Sequence, residues 1–168
     1  MRKFVLVCAL ALACVLVTGR ATFSHCEIPC GIYGDQTRIT LLLEDIATVE
    51  KSMQQIELLS DADPMNPNQM VRWIQNKEEH ASKIQHVVTQ YWLTQRIQPV
   101  EASSAEAHKK YLGQLEILHH MLVHAMKAKQ TTDTTHTTTL RSLVDKLAES
   151  YFSAEDLKHL RESHEHAK

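Results

Sequence analysis

The sequence predicts an all-α protein, an antiparallel four-helix bundle behind a short N-terminal hook. Three observations carry that expectation. Glycine and proline together supply only 8 of 168 residues, and no segment alternates polar and apolar residues over a strand's length. Apolar residues instead recur at three- and four-residue steps in successive stretches, each bounded by capping or turn residues.

In chain order, residues 1–24 read as a secretory signal rather than as fold. Arg2 and Lys3 give a positive start, residues 4–17 are an apolar run, and Thr22 and Ser24 are small residues before a cut ahead of His25. The run is shorter than the ~20 residues of a membrane span. A lipid-modified Cys14 is the alternative, but Ala11 is a poor match where such signals prefer a larger aliphatic residue.

The first helix carries Ile39, Leu42, Leu43, Ile46, Val49, Met53 and Ile56 on one stripe, with Asp35 as its N-cap. Asn66-Pro67-Asn68-Gln69 opens the second: asparagine caps, proline takes the first helical place, and glutamine closes a capping box. Its apolar face is Met70, Ile74, Ala81, Ile84, Val88, Tyr91 and Trp92, ending before Pro99. Ser103-Ser104-Ala105-Glu106 is a second capping box, starting a helix with Leu112, Leu115, Leu118, Met121, Leu122 and Ala125. Residues 130–139 hold seven threonines, a β-branched polar tract that predicts a loop. The fourth helix then runs from about Leu140 through Leu143, Val144 and Leu147 to Tyr151. Ser153, with Glu155 and Asp156, starts a short C-terminal helix or extends the fourth. Antiparallel bundling buries four such stripes with short connections.

Removing residues 1–24 takes away three cations and no acid, so the formal charge of −2 becomes −5 on 144 residues. That length suits one domain, residues 25–168, with the hook at 25–34 and the bundle at 35–168. An acidic body excludes general nucleic-acid binding and, once the leader is cut, membrane binding. Cys8 and Cys14 leave with the leader. Cys26 and Cys30 remain, too few for a disulfide framework.

The chemistry concentrates in His25-Cys26-Glu27-Ile28-Pro29-Cys30-Gly31-Ile32-Tyr33-Gly34. Cleavage at Ser24/His25 frees an α-amine whose ordinary pKa of ~7.7–8.0 lets it yield a proton to a metal. The Cys26 amide nitrogen lies one five-membered chelate ring from that amine, and the Cys26 sulfur closes the next ring. Cys30 returns as a fourth donor. Two nitrogens and two sulfurs in one short peptide favour flat coordination, which suits Ni(II) or Cu(II) over tetrahedral Zn(II). The His25 imidazole is left as an axial ligand. Thiolates and a deprotonated amide also stabilise a higher oxidation state, so the site suits one-electron chemistry on a small substrate.

His-Cys-x-x-Pro-Cys-Gly-x-Tyr at a processed N-terminus resembles the nickel-containing superoxide dismutases. Lys77-Glu78-Glu79-His80-Ala81 and Tyr91-Trp92 are similar to the family's corresponding second-helix segment. The resemblance implies disproportionation of superoxide to dioxygen and hydrogen peroxide by Ni(II)/Ni(III) cycling, in an exported homohexamer with one nickel ion per subunit. It implies His25, Cys26 and Cys30 as metal ligands, and Tyr33 and Tyr91 as the tyrosines of the substrate pocket, the candidate catalytic residues. It also implies a first-helix glutamate orienting the axial imidazole, for which Glu44 and Glu50 both qualify, and an arginine beside it, where Asn76 or Lys77 falls closest. Glu27 stands where the family more usually has aspartate. Against an acidic body, steering of superoxide calls for local cations such as Arg38 or Lys77.

Two other readings of the hook are a Cys26–Cys30 disulfide and a secreted nickel or copper carrier without turnover. Elsewhere, His120 and His124 have the i, i+4 spacing of zinc ligands but no carboxylate or cysteine beside them, so they and His119 read as surface or interface residues. His159, His164 and His166 read as surface. Trp73, Trp92 and Tyr111 read as core or subunit contacts.

Overall fold

The computed structural model describes residues 34–101 and 104–166, with side chains through Leu160. The chain divides after Cys30 into two units, and every described residue lies in the second, Gly31–Lys168. All its elements are helical; no strand occurs among the described residues, and no helix there is long and apolar enough to cross a membrane.

Helix α1 is Asp35–Ser60. Ile39, Leu42, Ile46, Val49 and Met53 are buried along it, as the stripe predicts. Its N-cap is Gly34, not Asp35. The aspartate stands one residue inside the helix because its carboxylate is drawn into side-chain bonds described below.

Helix α2 is Pro67–His86 and starts as expected, with Asn66 Oδ1 accepting from the Gln69 N–H at 3.2 Å. It continues as a π-helical segment, Val87–Arg96, which the periodicity does not anticipate. Ile97 N–H donates to the Trp92 carbonyl at 2.9 Å, five residues back. Thr94 Oγ1 and Gln95 Nε2 reach the carbonyls of Thr89 and Gln90 at 2.7 and 2.8 Å, again five back. The wider turn admits adjacent pairs to the core, Val87 with Val88 and Tyr91 with Trp92.

Helix α3 is Ala105–Gln130. It starts after Ser104, whose side chain makes no capping bond; Ser103, the first residue of the expected box, lies outside the described residues. Helix α4 is Thr135–Tyr151 and takes in half of the threonine tract expected to be loop. Asp133 Oδ1 accepts from Thr135 N–H at 2.9 Å. The hydroxyls of Thr137, Thr138 and Thr139 bond back to carbonyls three or four residues earlier, at 2.8, 3.2 and 2.8 Å. Those local bonds and the complete burial of Thr137 outweigh weak helix propensity. Helix α5 is Ala154–His166. Ser153 Oγ accepts from Asp156 N–H at 3.2 Å and donates to its carboxylate at 2.7 Å, the start signal the sequence displays.

Side-chain contacts fix how the helices run. Asp45–His80 and Ser52–Asn76 pair α1 antiparallel to α2. Lys77–Lys129 and Gln85–Leu122 pair α2 antiparallel to α3, and Gln114–Ser150 with His124–His136 pair α3 antiparallel to α4. Asp35–Tyr151 and Glu50–Arg141 pair α1 antiparallel to α4. Between them lies one apolar cluster in which Trp92, Leu118, Met121, Leu140 and Leu147 are fully buried. Ile74 and Leu112, expected to face this core, are instead 41 and 50 % exposed.

Candidate functional site

The expected metal donors His25, Cys26 and Cys30, and the expected pocket residue Tyr33, lie outside the described residues. The chain downstream of them enters α1 at Gly34 and meets a polar cluster one residue later.

Asp35 is the hub of that cluster. One carboxylate oxygen accepts the Tyr91 hydroxyl in a short hydrogen bond and pairs with Arg96 Nε at 2.7 Å; the other accepts the Tyr151 hydroxyl at 2.9 Å. Arg96 Nη2 in turn donates to the Tyr91 hydroxyl at 3.0 Å. The π-helical turn supplies Tyr91 and Arg96 five residues apart on one side, and the last residue of α4 supplies Tyr151. Asp35 also sits in the first turn of α1, where the helix dipole favours negative charge.

Aromatic rings form the walls. Trp92 is fully buried between Tyr91 and Tyr151, edge to face with each at centroid distances of 5.5 and 5.1 Å. The Arg38 and Arg96 guanidiniums lie 5.1 and 4.9 Å from the Tyr91 ring centroid, a distance at which the ring quadrupole attracts both.

The cluster keeps both phenols neutral. Burial and then the Asp35 bond push the Tyr151 hydroxyl up to about 12. Tyr91 is raised by the same two causes in the same order, against the pull of Arg96. Arg96 is raised chiefly by its bond to Tyr91. Such an arrangement holds two protons at fixed places beside one carboxylate.

The remaining expected residues separate. Tyr91 is 4 % exposed with its hydroxyl committed to Asp35 and Arg96. Glu50 is paired to Arg141 at 2.6 Å, tying α1 to α4. Glu44 is exposed at the edge of a groove whose floor holds the Asp45–His80 pair, 2.7 Å apart. Burial raises the Asp45 carboxyl, and His80 opposes that shift. Asn76 bonds to Ser52 Oγ at 2.9 Å, and Lys77 donates to the carbonyls of Lys129 and Thr131 at 2.7 and 3.0 Å. At 5 % exposure Lys77 serves the C-terminus of α3, so Arg38 is the better placed of the two expected steering cations. Asp35 was not legible as a hub, because its contacts with Tyr91 and Tyr151 span 56 and 116 residues of sequence.

Among the described residues no group of three or more histidines, cysteines or carboxylates is gathered as a metal site. No curated protein and no solved structure matches the chain. A family model, nickel-containing superoxide dismutase, matches residues 20–155, which span the His-Cys-x-x-Pro-Cys segment and every residue of the Asp35 cluster. With most of its length matched, the chain belongs to the nickel-containing superoxide dismutase family and is a nickel-dependent oxidoreductase acting on superoxide.

Proposed function

We propose that dismutation runs at a hook formed by residues 25–34 after cleavage at Ser24/His25, on an antiparallel four-helix subunit of an exported homohexamer. The observation that carries the hook is its donor chemistry inside the matched segment. An amine, an amide nitrogen and two thiolates within six residues fit nickel, and the family is nickel-containing. His25 would hold the ion by its amine and imidazole, Cys26 by its amide nitrogen and sulfur, and Cys30 by its sulfur. When bound, nickel supplies the one-electron couple by which superoxide is converted to dioxygen and hydrogen peroxide.

The chain's own residues do the rest. Pro29 restricts the return from Cys26 to Cys30, and Gly31 lets the backbone pass closely. Tyr33 admits superoxide and orders water for the protons that peroxide formation consumes. Tyr91 serves as the second pocket tyrosine; its raised pKa and its bond to Asp35 keep its proton in place. Arg38, beside the Tyr91 ring, supplies local positive charge for an anionic substrate.

The test is intact mass, nickel content and superoxide turnover of exported protein, with and without nickel, beside Cys26→Ser and Cys30→Ser. The expected result is one nickel per subunit and turnover, both lost in the serine variants with helicity kept. Nickel without turnover would favour the carrier, and a two-dalton deficit with no metal would favour the disulfide.

A further inference from the structure

A second cluster of ligating side chains stands apart from the cluster around Asp35, at the end of the α3–α4 pair. His124 of α3 and His136 of α4 bring their Nδ1 atoms to 3.3 Å, with rings at 62° and centroids 5.3 Å apart. Both side chains are half-buried, and the four-residue connection 131–134 fixes the two helix ends that carry them. Asp133 Oδ1 accepts from Thr135 N–H and its carbonyl from His136 N–H at 3.3 Å, so the position of His136 is held by the backbone rather than by its ring.

Two Nδ1 atoms at this distance admit two states: one imidazole donates a proton to the other, or both lone pairs address a shared cation. The separation favours a particular cation class. Zinc–imidazole bonds of ~2.0–2.1 Å make nitrogens 3.3 Å apart subtend roughly 104–111° at a common ion. That is the tetrahedral angle. A flat centre with adjacent nitrogens at the same bond length would hold them about 2.9 Å apart. The pair is therefore matched to tetrahedral zinc, whereas the hook's donors are matched to a flat nickel ion.

We infer that His124 and His136 form a divalent-metal clip of zinc type that joins α3 to α4. Neutral imidazole is the form that binds metal, and burial, with His136 and Lys127 nearby, lowers the pKa of His124 and keeps that form populated near neutral pH. His120, exposed one turn earlier on α3, is the nearest further imidazole on that helix. No set of three protein donors is already gathered among the described residues, so water completes the shell.

The experiment is calorimetric titration of the nickel-loaded, full mature protein with zinc sulfate, beside His124→Gln and His136→Gln. One zinc per subunit is expected in the unsubstituted protein, with binding lost or weakened in each variant by more than the ~10–100-fold that an outer-shell change costs. A second readout uses the unsubstituted protein alone: the imidazole nitrogen resonances of His124 and His136 shift on zinc addition while that of His108 does not. Absence of binding, equal binding by both variants, or shifts confined to other histidines would overturn the clip.

Discussion

Replacing Asp35 with alanine removes the acceptor of the Tyr91 and Tyr151 hydroxyls and the partner of Arg96 in one step. Hydrogen bonds to a charged group contribute ~1.5–3 kcal/mol each. The ion pair counts for less: the Asp35 and Arg96 side chains are 25 and 21 % exposed, and water replaces part of it, so ~0–1 kcal/mol is appropriate. The two hydroxyls dominate and give a loss of about 3–6 kcal/mol. For a domain of this size that lowers Tm by roughly 10 °C. The assay is urea unfolding at one fixed subunit concentration, since assembly shifts apparent stability by mass action. Tyr91→Phe and Tyr151→Phe are each expected to cost about 1.5–3 kcal/mol alone; once Asp35 is alanine, Tyr151→Phe costs almost nothing, while Tyr91→Phe keeps the smaller cost of losing its bond from Arg96. A loss below ~1 kcal/mol for Asp35→Ala, or phenylalanine variants equally costly in both backgrounds, would refute the hub.

Three further outcomes follow from the same contacts. The Tyr91 and Tyr151 phenols have pKa values raised in the fold, Tyr151 to about 12, so the folded state holds their protons more tightly. Their stabilisation is complete below the ordinary value of ~10 and is lost as pH rises through the folded value. Ultraviolet titration should show these two ionising late, with Asp35→Asn bringing both down. Lys77→Met removes the ammonium that meets the carbonyls of Lys129 and Thr131 and should cost ~1–3 kcal/mol, with faster amide exchange in the last turn of α3. An unchanged urea midpoint would contradict it. If local cations steer superoxide toward an acidic body, kcat/KM falls as salt rises, and Arg38→Gln flattens that dependence; a rate indifferent to salt removes the steering argument.

What was legible in the sequence is what local chemistry decides. The α1 stripe from Ile39 to Met53, the Asn66-Pro67 start and the Ser153–Asp156 start are each written within one or two turns, and the fold keeps them. The threonine tract misleads because propensity disfavours helix while hydroxyls bonded back to the preceding turn, with Asp133 as cap, permit it. The π-helical turn leaves no trace in composition, since it changes which residues face the core by one position per turn. Asp35 reads locally as an N-cap; its actual partners lie on two other segments, and nothing within a helix's reach announces them. At the candidate site the hook's donors are readable because a chelate is a local motif. The partners of Glu50, Asn76 and Lys77 depend on helix packing.

The most direct test concerns the α-amine of His25. Mature protein beginning at His25 is compared with the same protein carrying one added alanine before it, which turns the basic amine into a weakly donating amide. Nickel per subunit and superoxide turnover are measured together, with circular dichroism to confirm equal helicity. The hook predicts that the extended protein loses nickel and turnover by more than the ~10–100-fold that an outer-shell change costs. Full nickel occupancy and unchanged turnover with the alanine in place would contradict it.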